Sequence, residues 1–229
     1  MVLDTRSNVA FGGAHIPGAF NVPLGPMLAT WVGWLVPPRA PLVLVLERDD
    51  DWATVTTTLQ RIGYEHCAGY LHHGMTSWQE QGLDVASVPQ LDVHEVDRRR
   101  RQPGVEVLDV RMDSEWQEGH IAGAHHLPLG SNLPAHLGDL HLDPTRPLIV
   151  VCGSGYRSSI ATSLLQQRGY QQVWNTLGGM TAWQEAGLPT VRPDETAART
   201  GSDVKDVHLD DEGQRLLRRE DASLPTPHR

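Results

Sequence analysis

The chain has 229 residues, enough for one large domain or two small ones, with an ordinary globular balance of 39% hydrophobic and 21% charged residues. A formal net charge of −9 argues against a general nucleic-acid or anionic-membrane partner. No apolar run approaches the roughly 18 residues that span a bilayer, and no basic segment followed by an apolar one opens the chain, so the expected compartment is the cytoplasm.

The first predicted strand begins by Leu3, within LDTR at 3–6. The segment PLGPMLATWVGWLV at 23–36 follows, with Trp31 and Trp34 beside Val32, Leu35 and Val36. Core packing accounts for such a cluster, and a docking patch for a partner domain or second subunit is the alternative. PLVLV at 41–45 reads as a buried strand. Cys67, in EHCAGY near another apolar run, reads as a structural thiol. His72 and His73 are adjacent, as are His125 and His126. Neighbours in a strand or loop point to opposite sides and do not chelate together, so no metal site is expected at either pair.

Residues 84–90 (DVASVPQ) carry a proline and small residues and read as a linker. LDVHEVDRRRRQPG then predicts a helix ended by Pro103 and Gly104, with Arg98–Arg101 as a solvated face. Apolar runs at Val105–Val110, Leu148–Val151 and Val173–Leu177 predict strands, separated by helical segments. Residues 157–168 place Ile160, Ala161, Leu164 and Leu165 on one helix face, with Gly169 where a C-cap belongs. Alternating strands and helices imply an α/β fold with a central parallel sheet flanked by helices, and ligands at the carboxyl ends of its strands. From about 191 the chain is polar and reads as a tail, with a short helix around Gln214–Glu220.

Cys152 falls where the strand 148–151 hands over to the helix that follows. Backbone N–H groups at a helix start carry partial positive charge and stabilise a thiolate. Gly153 and Gly155 let the loop curl so that successive amides converge, Ser154 and Tyr156 complete it, and Arg157 closes it with a fixed positive charge. This is a cradle for an anion beside a nucleophilic sulfur. A lone thiol in a polar loop, with no disulfide framework, suits a reducing compartment.

The chain is written twice. LDVR at 108–111 matches LDTR at 3–6 at an offset of 105 (109 − 4), and so does HIAGA at 120–124 against HIPGA at 15–19. PLIVV at 147–151 matches PLVLV at 41–45 at 106, and GMTAWQEAGL at 179–188 matches GMTSWQEQGL at 74–83 at 105. Two homologous units follow, at 1–84 and 85–190, with the tail at 191–229. Unit one lacks a counterpart to the 91–104 segment, which implies either a lost N-terminal segment or another element covering that sheet edge. At offset 106 the loop CGSGYR becomes LERDDD, so Leu46 stands for Cys152 and Asp51 for Arg157. Three aspartates would repel an anion, and unit one is expected to be inactive at this loop. His120 recurs as His15 and reads as a fold-stabilising hydrogen bonder. Asp109, Arg111 and Glu115 suggest a structural ion pair between Arg111 and Glu115, absent from unit one because Ala10 replaces the glutamate.

Both units resemble the rhodanese domain, through LDVR…E…GHIAGAHHLPL, LIVVCGSGYRS and GY…LGGMTAWQEAGLP, over about residues 1–190. The resemblance implies sulfane sulfur carried as a persulfide on Cys152, within the loop Gly153, Ser154, Gly155, Tyr156 and Arg157. Substrates would be small sulfur-containing anions such as thiosulfate, or low-molecular-weight persulfides, with no cofactor. Four residues separate Cys152 from Arg157. That is the spacing of rhodanese sulfurtransferases, whereas related phosphatases have one residue more and a wider ring. A cysteine phosphatase or arsenate reductase is therefore the weaker alternative. A degenerate unit before an intact one is also similar to the C-terminal half of persulfide dioxygenase–rhodanese fusions. This implies, as a further alternative, a sulfur-carrier or interaction module that works with a separate metallo-β-lactamase-like persulfide dioxygenase. No H-x-H-x-D-H metal motif is present, so iron binding is not carried over.

Overall fold

A computed structural model describes residues 1–130 and 133–193. The tail beyond 193, including the expected helix around Gln214–Glu220, lies outside the described residues.

Unit one runs β1 (Val2–Asp4), α1 (Asn8–Gly13), β2 (Phe20–Asn21), α2 (Leu28–Leu35), β3 (Leu42–Val45), α3 (Trp52–Gln60), β4 (Cys67–Tyr70) and α4 (Gly74–Glu80). Its four strands are all parallel, in the order β2-β1-β3-β4. Unit two runs β5 (Gln90–Leu91), α5 (Val93–Arg99), β6 (Glu106–Asp109), α6 (Asp113–Glu118), β7 (His125–His126), α7 (Leu133–His136), β8 (Leu148–Val151), α8 (Tyr156–Gln167), β9 (Val173–Thr176) and α9 (Gly179–Glu185). Its five parallel strands take the order β5-β9-β8-β6-β7. The α/β expectation is met. β8 (LIVV) is buried at every position, as a central strand covered on both faces must be. The outer edge of β9 is covered by β5, while the corresponding edge of β4 pairs with no strand among the described residues.

The repeat extends to individual contacts. Arg6 clasps Asp4 and donates to the Ala14 carbonyl, and Arg111 does the same with Asp109 and Gly119. His15 stacks on Phe11, and His120 on Trp116. Asp92 caps α5 by accepting the Glu95 N–H at 2.8 Å, and Arg98–Arg101 pair with Glu95 and Asp97. The segment 84–90 is held fast: Ala86 bridges His15, and the Val88 N–H donates to the Gly12 carbonyl. Val191 pairs with His120 in the same way, so the first residue of the expected tail belongs to the fold.

One apolar core runs through both units, joining Leu3, Phe20 and Leu44 to Val150, Ile160 and Leu165. α8 lies at the centre of this arrangement. Its apolar face is buried as expected, and so is the polar side formed by Ser159, Thr162 and Ser163. A helix buried all round has no solvent face. The polar side is satisfied by its own carbonyls and by unit one: Ser159 Oγ donates to Asn21 Oδ1 at 2.7 Å, and Ser163 Oγ accepts the Asn21 N–H at 3.1 Å. Gln166 and Gln167 reach the Ser87 and Gly18 carbonyls. Trp31 lies in the core, while Trp34 is half exposed and meets it edge-on at 5.4 Å. Trp34 borders a cavity of about 430 Å³ with Met112, Leu127, Leu129, Leu133 and His136. Among the described residues no helix is long and apolar enough to cross a membrane.

Candidate active site at the Cys152 loop

β8 ends at Val151, and Cys152 sits directly beyond it, fully buried at the base of the loop. Its Sγ accepts two hydrogen bonds, from the Gly155 N–H at 3.1 Å and the Ser158 hydroxyl at 3.3 Å. Both donors point at the sulfur, which also lies at the N-terminus of the twelve-residue α8 that starts at Tyr156. Gly155 has φ +93°, and a Cβ there would stand 3.1 Å from the Thr176 carbonyl oxygen. A side chain would therefore both strain the turn and crowd β9.

The floor of the loop is the start of α9. The N–H groups of Met180 and Thr181 donate to the carbonyls of Cys152 and Gly153 at 2.7 and 3.0 Å. Gly179 permits this approach, because a Cβ on it would fall 2.2 Å from the Cys152 oxygen. The GMTAWQEAGL block, read in the sequence as a repeat and a mark of resemblance with no role at the loop, thus packs directly beneath it.

Arg157 turns to Glu115 on α6. Its Nη1 and Nη2 donate to the two carboxylate oxygens at 2.6 Å each. This hydrogen-bonded pairing holds the Glu115 carboxyl below the usual range and keeps the guanidinium firmly protonated. The pair explains Gly153, where a Cβ would lie 3.0 Å from Arg157 Nη2. The expected Arg111–Glu115 pair is not formed. Arg111 folds back on Asp109 two residues earlier, which leaves Glu115 free for Arg157.

Ser154 is exposed at the loop crest. Tyr156 is half-buried, and its hydroxyl donates to the Pro23 carbonyl of unit one at 3.0 Å. Burial pushes its phenol up to about 12. Asn175 Nδ2 also donates to the Gly155 carbonyl, at 3.3 Å.

The profile of the rhodanese-like domain matches residues 1–81 and again residues 92–186. The chain belongs to the rhodanese-like family. The thiosulfate sulfurtransferase GlpE of Shewanella oneidensis is 33% identical over 102 residues, which cover 44% of this chain and 98% of that protein. A sulfurtransferase of Allochromatium vinosum is 37% identical over 88 residues, 38% of this chain and 79% of that protein. The putative sulfur carrier protein YrkF of Bacillus subtilis is 27% identical over 134 residues, 58% of this chain and 70% of that protein. Among solved structures, a rhodanese-related protein from Thermoplasma volcanium aligns with a TM-score of 0.41 at 28% identity, over 45% of this chain and 97% of that one.

The two rhodanese-like units differ most at this loop. Leu46, in the place of Cys152, is 2% exposed and packs into the core. Asp49–Asp51 form a 3-10 turn, and Asp51, in the place of Arg157, pairs with Arg48. A cavity of about 540 Å³ opens there, lined by Glu47, Asp49, Asp50, His73 and Glu80 among others.

The two histidine pairs also part company. In β7 the neighbours separate as alternation requires, His125 towards Glu106 and His126 towards the Arg111 carbonyl. His72 and His73 do not: their rings stack with centroids 3.8 Å apart. His73 has φ +59°, so the strand-like alternation on which the no-chelation expectation rested is broken at that residue.

Proposed function

We propose that this chain is a sulfurtransferase that moves sulfane sulfur through a persulfide on Cys152. The Cys152 thiolate attacks the outer sulfur of thiosulfate or of a low-molecular-weight persulfide. With thiosulfate, the S–S bond of the donor breaks, sulfite leaves with the electron pair, and Cys152–S–S⁻ remains. Cyanide or another thiophile then takes the outer sulfur and returns the thiolate. The observation that carries this reading is the pair of donors on Sγ, the Gly155 N–H and the Ser158 hydroxyl, at the N-terminus of α8. Donors already in place meet the charge on Sγ in the thiolate that attacks the donor and that each completed cycle restores. Gly153, Ser154, Gly155, Tyr156 and Arg157 form the substrate cradle, with Arg157 as its fixed cation. Unit one, with Leu46 and Asp51 at the corresponding positions, takes no part in the chemistry and braces α8.

A second reading, a sulfur carrier that serves a separate persulfide dioxygenase, is favoured by the complete burial of Sγ and by the relative named as a putative carrier. Steady-state thiocyanate formation from thiosulfate and cyanide separates the two. An enzyme turns over many times per chain, whereas a carrier gives one sulfur per chain and then stalls. Parallel rates with glutathione persulfide and 3-mercaptopyruvate identify the donor class.

A further inference from the structure

We propose that Asp49, His72 and His73 form a binding site for a divalent transition-metal ion of the zinc class. The site lies in unit one, at the sheet edge where unit two carries Cys152, and is independent of the sulfur chemistry.

One ligand atom from each of the three residues lies within 4.8 Å of the other two. His72 Nδ1 stands 2.6 Å and His73 Nδ1 3.7 Å from Asp49 Oδ2. Ligand atoms around a tetrahedral zinc ion, at bonds of about 2.0–2.1 Å, stand about 3.3 Å apart. The two separations straddle that value, so small side-chain rotations suffice to admit the ion.

The backbone brings the rings together. His73 occupies the position of Gly178, at offset 105 (178 − 73), and both residues are left-handed, at φ +59° and +68°. Histidine at a glycine conformation costs about 1 kcal/mol or more. It also turns the His73 ring onto the His72 ring and points the His73 backbone N–H at Asp49, whose two oxygens accept at 3.1 and 3.3 Å. That hydrogen bond fixes the carboxylate in the way outer-sphere donors orient metal ligands.

The surroundings favour a cation. The cavity is lined by Glu47, Asp49, Asp50 and Glu80, and the Arg48 side chain on its rim is tied to Asp51. Two imidazoles and one carboxylate are a donor set for zinc, nickel or iron rather than for calcium or magnesium. Both imidazoles are largely exposed, so the remaining coordination positions open to water. Coordination needs each ligating Nδ1 unprotonated, so a proton that His72 Nδ1 donates to Asp49 leaves as the ion enters.

The test is calorimetric titration of Zn²⁺ into the tag-free full-length chain carrying Cys152→Ser, so that the buried thiol is not a competing ligand. The expected result is one ion per chain, with affinity weakened at least about tenfold by Asp49→Asn and by His73→Gly. His73→Gly restores the residue type that the repeat uses at this conformation. Its melting temperature should equal or exceed the parent's, so a loss of binding cannot reflect unfolding. Absence of one-to-one Zn²⁺ binding, or an affinity unchanged in either variant, overturns the proposal.

Discussion

Glu115 and Arg157 meet through two parallel hydrogen bonds of 2.6 Å, joining α6 to the first turn of α8 across 42 residues of chain. The guanidinium is thereby held beside Gly153, over the loop that carries Cys152. The glutamate fixes where the positive charge beside the loop stands. Replacing it with alanine frees Arg157 to swing into solvent. Glu115→Ala should lower kcat/KM for an anionic sulfur donor by about tenfold, with little loss of melting temperature. Steady-state kinetics with thiosulfate, beside a thermal melt, check this.

The approach of α9 to the loop predicts an internal comparison. Gly179→Ala places a Cβ against the Cys152 carbonyl at 2.2 Å, at φ +55°. Its counterpart Gly74→Ala has nearly the same φ, +56°, and a tight but far less severe contact of 3.3 Å with the Leu46 oxygen. Gly74→Ala should cost about 1–2 kcal/mol from backbone strain. Gly179→Ala should cost about 3 kcal/mol or more and abolish sulfur transfer. Denaturant unfolding of the two variants gives the difference.

The polar seam between the units predicts cooperativity. Asn21 donates to the Asp4 and Arg6 carbonyls, and its Oδ1 accepts from Ser159 of α8. Asn21→Ala orphans buried groups in both units at once and should cost about 2 kcal/mol or more. Because α8 is buried on every side, calorimetry of residues 1–193 within the full chain should show one transition for both sheets. Two separate transitions, with only the first moved by Asn21→Ala, would contradict the shared core.

Stability should fall on mild acidification. Burial pushes His120 and His15 below their ordinary value of 6.5. Below pH 6.5 the unfolded chain binds protons that the folded chain refuses, so stability is lost as pH drops towards the folded values. Glu115 adds a second loss further down: held low by Arg157, it contributes fully above its ordinary value of 4.5 and fades as pH falls below it. Melting temperatures between about pH 8 and 5 should decline, and His120→Gln should flatten the upper part of that decline.

Much of this architecture is legible in the residues. The offsets of 105 and 106 align LDTR with LDVR and PLVLV with PLIVV, and those blocks are β1 with β6 and β3 with β8. The loop CGSGYR lies at the strand-to-helix junction where its glycines and apolar flanks put it. What was not legible came from contacts distant in sequence. Arg111 had three carboxylates within four residues, Asp109, Asp113 and Glu115, and the choice of Asp109 goes with the Gly119 carbonyl, which accepts from the same Nη2 that donates to Asp109. The burial of the polar side of α8 has no local signal, because Asn21, which satisfies part of it, is 138 residues away from Ser159. The left-handed turn at His73 breaks the alternation that was assumed for His72 and His73, and only the glycine at its repeat position hinted at it.

The central claim is that Cys152 carries the transferred sulfur. Intact-protein mass spectrometry after incubation with thiosulfate or glutathione persulfide tests it most directly. The predicted result is a gain of one sulfur atom by the wild-type chain, removed by cyanide and absent from Cys152→Ser. A wild-type chain that gains no sulfur from either donor, or a Cys152→Ser chain that gains it equally, would contradict the account.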